Sequence, residues 1–196
     1  MTLHVVELAR MAPQPWRNGG GVTRELLAWP LGASTDWLLR VSVAEIEHDG
    51  PFSPFPGVQR CFAVLEGAGV VLGRPGGDQA LTPASPPLAF DGAEAPSCRL
   101  LDGPTRDLNL MARQTAGRLR MGPAQPGERA PEGARWCGLY AATALLLDPA
   151  NTPPVALPAH ALAWCDTPGA RWGISPTEGR GAPHSRAWWL VLEAAA

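Results

Sequence analysis

The chain has 196 residues, a net charge of -2, 45% hydrophobic residues and 17% charged residues. That length buries a real core in one large domain or two small fused ones, and the composition excludes a disordered chain. The near-neutral charge, with no basic run and no RNA-binding signature, excludes a dedicated nucleic-acid binder. All 16 basic residues are arginine, which rules out a Schiff-base lysine, a pyridoxal-phosphate anchor and a P-loop lysine.

Short apolar runs alternate with Gly/Pro turns, the pattern of an all-β protein. In chain order the expected strands are Leu3–Ala9, Thr23–Ala28, Trp37–Ile46, Arg60–Leu65, Gly69–Leu72, Cys98–Leu101, Asp107–Arg113, Trp136–Leu147, His160–Cys165 and Ala187–Glu193. "YAATALLLD" has helical propensity, but its neighbours favour a strand. Gly122–Ala134 and Ser175–Ser185 are turn-rich and read as exposed connections. A weak likeness between Ala63–Gly73 and Gly138–Asp148 permits two similar β modules.

Strand periodicity sorts side chains into faces. Arg40, Ser42 and Ala44 share one face of their strand, opposite Val41 and Val43. Asp107, Asn109, Met111 and Arg113 share a face, as do Arg60, Phe62 and Val64. A polar strand face points either to solvent or into a ligand cavity.

The four cysteines, Cys61, Cys98, Cys137 and Cys165, are too far apart for a CxxC motif. The start, "MTLHVVELARMAP", lacks the features of a secretory signal, and no run is apolar enough for a transmembrane helix. The expectation is a cytoplasmic protein with reduced, buried thiols and no membrane partner.

"WRNGGGVTREL", Trp16 to Leu26, is the first motif. It is a poor phosphate loop, because GxxxxGK[ST] and GxGxxG are absent and Pro30 arrives before a useful helix. Asn18-Gly19 is a strong turn dipeptide. The surplus glycines imply close approach of the backbone to a strand or to a ligand. The second motif, Asp49–Gly73, ends in a hairpin like that of cupins. Metal cupins carry HxH and a following glutamate there, whereas this chain has Val58, Gln59 and Arg60. His4, His48, His160 and His184 are scattered. No metal site and no cofactor are expected, and His48 is the histidine nearest the motif. The third motif is Phe90–Arg113.

Together these motifs resemble the HutD/Ves family, whose pattern is W-[KR]-N-G-G-G-x-T, G-P-F-S-x-F-x-G-x-x-R, F-x-G and D-x-N-x-M-x-R. Here they are Trp16–Thr23, Gly50–Arg60, Phe90–Gly92 and Asp107–Arg113, in that order. The resemblance implies a bicupin of two fused jelly-roll or cupin-like β-barrel modules. The expected division is 1–113, with the pocket, and 114–196, with terminal strands free to cross over. It also implies a link to histidine utilisation, in some members to stress, and a small pathway metabolite as ligand, with N-formylglutamate the leading suggestion.

The function expected on these grounds is metal-independent binding of a small carboxylate by a regulator or sensor of histidine degradation. Arg60 would hold the carboxylate through paired charge-assisted hydrogen bonds. Asn18 and Asn109 would read a formyl or amide group. The amides of Gly19, Gly20 and Gly21 would add donors. Trp16, Phe52, Phe55 and Met111 would form apolar walls. Asp107 and Asp91 would orient arginines, and Thr23, Ser53 and Arg113 complete the candidate set. Arg17 and Arg24 read as surface residues. A metal-free isomerase, epimerase or hydrolase using His48, Glu45, Glu66 or Asp107 is the competing class. A protein-interaction module is the third, and a homodimer through sheet edges is compatible with the sequence.

Overall fold

The computed structural model describes residues 2–30, 36–130, 133–149, 153–165, 172–175 and 186–194. Two compact units emerge, one formed by Met11–Ala116 and the other by Met1–Arg10 together with Gly117–Ala196. The chain thus begins with a strand of the second unit, β1 (His4–Glu7). No α-helix occurs among the described residues; short 3-10 turns at Leu8–Arg10, Gly92–Glu94 and Gln114–Ala116 are the helical elements there. Among the described residues no helix is long and apolar enough to cross a membrane.

The Met11–Ala116 unit contains β2 (Gln14–Pro15), β3 (Gly21–Trp29), β4 (Leu39–Ile46), β5 (Gly50–Pro51), β6 (Val58–Glu66), β7 (Val70–Arg74), β8 (Gly77–Leu81), β9 (Leu88–Asp91), β10 (Ser97–Leu100) and β11 (Thr105–Arg113). They form a six-stranded sheet, β2-β3-β4-β11-β6-β9, and a four-stranded sheet, β5-β10-β7-β8. Ala44, Ile46, Phe62 and Val64 of the larger sheet share a core with Val70, Leu72, Leu81 and Cys98 of the smaller one. Alternating apolar residues from two sheets thus meet across a common interior. A bulge between Glu25 and Leu27 lets Leu26 and Leu27 both be buried.

The other unit continues with β12 (Arg118–Pro123), β13 (Ala134–Ala141), β14 (Leu145–Pro149), β15 (Val155–Leu157), β16 (Ala161–Cys165), β17 (Trp172–Ser175) and β18 (Ala187–Glu193). Its sheets are β1-β16-β13-β18-β12 and β15-β14-β17. Trp172, Trp189, Leu139, Leu145 and Leu147 are in the core they share.

Strand connectivity repeats between the units. β6 lies between β9 and β11, with β4 beyond β11; β13 lies between β16 and β18, with β12 beyond β18. In the smaller sheets β7 lies between β8 and β10, and β14 between β15 and β17. The similar segments Ala63–Gly73 and Gly138–Asp148 occupy equivalent places, where the chain leaves the larger sheet for the smaller.

Two sequence expectations need correction. Trp136–Leu147 is not one strand: β13 ends at Ala141 and β14 starts at Leu145. A 12-residue strand would span about 40 Å. Instead the chain turns at Ala142–Thr143, where Ala142 N donates to Arg186 O at 2.9 Å and Arg186 N to Thr143 Oγ1 at 3.0 Å. Gly122–Ala134 is not simply an exposed connection, because Ala124 and Ala130 are buried in the core. Of Ser175–Ser185, only Ser175, the end of β17, lies within the described residues. The strands β8, β9, β12, β15 and β17 lie outside the expected set, since they are polar or short and lack a long apolar run.

Candidate functional site

Register on the six-stranded sheet brings distant polar residues onto one face. One cross-strand row runs Ala28, Arg40, Met111, Arg60, Phe90. The next runs Glu25, Ser42, Asn109, Phe62, Leu88. A third runs Thr23, Ala44, Asp107, Val64. Antiparallel pairing places these residues side by side on the face that also carries the core.

A cavity of about 560 Å3 opens on this face, within the size range of small-molecule sites. Among the predicted site residues, Trp16, Asn18, Thr23, Phe52, Ser53, Phe55, Arg60, Asn109 and Met111 line it. Gln14, Pro15, Arg17, Arg40, Ser42, Ala44, Pro51 and Pro54 line it too, without having been predicted as site residues. Arg40, Ser42 and Ala44 were legible as one strand face, and that alternation was the signal available. No Asp or Glu is among the lining residues, and neither is His48.

Arg60 is the most constrained polar group of the cavity. Its residue is 6% exposed. Its guanidinium carbon lies 4.9 Å from the Phe52 ring centre, 5.8 Å from that of Phe55 and 5.1 Å from that of Phe90. Nη2 donates to Asn109 Oδ1 at 2.8 Å, whereas Nε and Nη1 are buried without a hydrogen-bond partner. Burial, followed by the nearby positive charge of Arg40, lowers its pKa to about 10. A buried cation without a counter-ion is costly. Arg40 differs, since its Nε lies 2.6 Å from Glu25 Oε2. Arg17 is exposed where it lines the cavity.

Trp16 is held by its indole N–H, which donates to Thr23 Oγ1 at 2.7 Å. The glycine run, expected to supply anion donors, lies beside the cavity but is not among its lining residues. Gly19 N donates to Trp16 O at 3.0 Å, and Gly20 N to Asn18 Oδ1 at 3.1 Å. Gly19 has φ +70°, as its turn requires. A Cβ at Gly21 would overlap the Glu45 carbonyl oxygen of β4. The surplus glycines therefore serve a turn and a close strand approach.

Asp107 and Arg113 also fall outside the lining. Asp107 is fully buried, accepts from Thr105 Oγ1 at 2.8 Å through Oδ2, and has no partner at Oδ1. Burial raises its pKa to about 7 against the opposing pull of the Thr105 hydrogen bond. The Arg113 guanidinium lies over the Trp37 ring at 5.1 Å. Asp91, another proposed arginine partner, instead accepts from Ala93 N and Gln114 Nε2 at 2.9 and 3.2 Å. Arg24 meets Glu45 at 3.4 Å and donates to Met11 O at 2.6 Å. Cys61, Cys98, Cys137 and Cys165 are buried and form no disulfide among the described residues. Among the described residues no three His, Cys, Asp or Glu side chains gather to hold a metal ion.

Two facing sheets per unit and a cavity with a few polar side chains on the larger sheet of one unit define a cupin-like all-β protein. The fold resembles that of Bacillus subtilis oxalate decarboxylase OxdC, in an S161A mutant structure, with a TM-score of 0.64, 8% identity and coverage of 98% of this chain and 77% of that one. This likeness concerns the fold alone. The chain belongs to the HutD family, whose model matches residues 8–178 and so continues beyond the motifs that end at Arg113. The structure of HutD from Pseudomonas fluorescens SBW25 matches over 100% of both chains with a TM-score of 0.82 and 26% identity. An uncharacterised 21.2 kDa protein in the hutC 3' region of Pseudomonas putida is 41% identical over 100 residues, 50% of this chain and 51% of that protein. Protein Ves of Citrobacter koseri is 36% identical over 109 residues, 55% of this chain and 56% of that protein. The aligned region spans about half the length of these curated relatives.

Proposed function

We propose that the protein binds a small carboxylate without a metal, as a cytoplasmic sensor or regulator of histidine degradation. The observation that carries this reading is Arg60: a buried guanidinium beside the cavity, with two unpartnered nitrogens. A carboxylate supplies the missing negative charge and acceptor oxygens. Asn109 Oδ1 is engaged by Arg60, and Asn18 Oδ1 by Gly20 N. Both side chains therefore keep their N–H donors for the ligand, with one lone pair of each Oδ1 already engaged. Trp16, Phe52, Phe55 and Met111 form its apolar surroundings.

The family connection to the hutC region of Pseudomonas putida, together with the resemblance noted in the sequence, makes an N-formylglutamate-like acid the proposed ligand. Repeated strand connectivity supports a bicupin in which the N-terminal module binds and the C-terminal module is its duplicated partner. Titration calorimetry with N-formylglutamate tests the assignment. Wild type is expected to bind, and Arg60→Ala to bind at least about 30-fold more weakly, the loss of about 2 kcal/mol or more associated with a desolvated charge pair. Arg60→Lys does not restore affinity, because an ammonium lacks the planar donor fork. Equal affinity in wild type and Arg60→Ala removes the carboxylate-clamp role.

A further inference from the structure

The F-x-G motif, Phe90–Gly92, contributes no cavity-lining residue, yet it meets the cavity cation from behind. Phe90 pairs with Arg60 across β9 and β6. Its buried ring lies 5.1 Å from the Arg60 guanidinium carbon and 5.6 Å from that of Arg74. Arg74 is held by Glu94 through hydrogen bonds of 2.7 Å from Nε and 3.0 Å from Nη2. The Glu94 carboxylate also accepts from Asp91 N at 3.3 Å, closing the capping box of the Gly92–Glu94 turn. One aromatic ring therefore contacts two guanidiniums, one matched by a carboxylate and one facing the cavity.

Gly92 ties the same segment to Phe55, another of the rings around Arg60. A Cβ there would lie 2.6 Å from Phe55 O and 2.9 Å from Val58 O. The close approach also permits Phe55 N to donate to Gly92 O at 2.8 Å. Phe55 in turn covers Arg60 at 5.8 Å. Two of the three rings around Arg60 are thus fixed by the turn that Glu94 closes.

We infer that Phe90, clamped by the Arg74–Glu94 pair, is a positioning residue that sets the Arg60 guanidinium for ligand binding. Its contribution is a cation–π contact in a dry setting, where such contacts are strongest. Neutralisation of Arg74 by Glu94 is part of the device, because an unmatched second cation over the ring would oppose Arg60.

This inference rests on the carboxylate-binding reading, and the test separates the two. Protein with 15N-labelled arginine is prepared as wild type, Phe90→Leu, Phe90→Tyr and Glu94→Gln. The Arg60 Nε–Hε resonance, assigned by its loss in Arg60→Lys, is compared alongside N-formylglutamate affinity. Phe90→Leu is expected to lose the ring-current shift of that resonance and weaken affinity about tenfold. Phe90→Tyr, which keeps an aromatic face over Arg60, is expected to retain both. Glu94→Gln shifts the resonance and weakens binding in the same direction. An unchanged Arg60 resonance in folded Phe90→Leu overturns the inference, as does wild-type affinity in that variant. If wild type binds no carboxylate, the proposed function fails, while the resonance still judges the positioning claim.

Discussion

Arg60 and Asp107 are buried polar residues on the same sheet face, two rows apart, and their surroundings give them different consequences. Arg60 has aromatic faces around it and a cavity beside it, so its charge is available to a ligand. Asp107 is fully buried, with Thr105 as its side-chain hydrogen-bond partner. Its pKa of about 7 in the folded chain, against an ordinary 3.8, has a definite sign. Between those values the folded state keeps a proton that the unfolded state has lost. The stability this group contributes is therefore fully present below about pH 4, falls as pH rises towards 7 by up to about 1.4 kcal/mol per pH unit, and is lost above it. Asp107→Asn is expected to flatten that slope in denaturant titrations at pH 4 to 7. An identical slope in the variant contradicts the assignment.

At the scale of elements, the glycine run is a device for closing β3 onto β4. Gly21 pairs with Ile46, and any Cβ there meets the Glu45 carbonyl. Gly21→Ala is expected to cost about 1–3 kcal/mol, as overpacking does, measurable as a reduced urea midpoint. Unchanged stability in the variant would contradict the close-approach role. The turn at Asn18-Gly19 was legible, because turn chemistry is local. The purpose of Gly21 was not, since close approach depends on a strand more than twenty residues away. Similarly, the face of Arg40, Ser42 and Ala44 was visible as alternation, but its direction was not. Pairing of Ser42 with Asn109, and of Arg40 and Arg60 with Met111, is what turns separate faces into one cavity wall. Arg17, read as a surface residue, is indeed exposed and also lines the cavity; an exposed arginine at a cavity edge has the same local sequence as one in solvent.

Across the whole molecule, similar strand connectivity carries different interiors. Phe62 and Val64 pair with Asn109 and Asp107 in one unit; Cys137 and Leu139, at equivalent places, pair with Val191 and Trp189 in the other. The second unit replaces polar inward residues with apolar bulk. Trp189 is 5% exposed, and its indole nitrogen is buried without a partner. Trp189→Ala is expected to lower stability by about 3–5 kcal/mol, as large-to-small core substitutions do. Trp189→Phe should cost much less, because the lost N–H had no hydrogen bond to forfeit. Equal costs for the two, read from thermal or urea unfolding, would contradict a packing role. The weak likeness between Ala63–Gly73 and Gly138–Asp148 hinted at this repetition. It could not reveal the filled interior, because Trp172 and Trp189 come from strands outside that likeness.

The most direct measurement is a crystal structure of the protein with saturating N-formylglutamate. The account predicts the ligand in the cavity of the Met11–Ala116 unit, with a carboxylate oxygen about 3 Å from the Arg60 guanidinium, beside Asn109 and Phe52. A ligand bound elsewhere, or a cavity that takes none at saturating concentration, would contradict it.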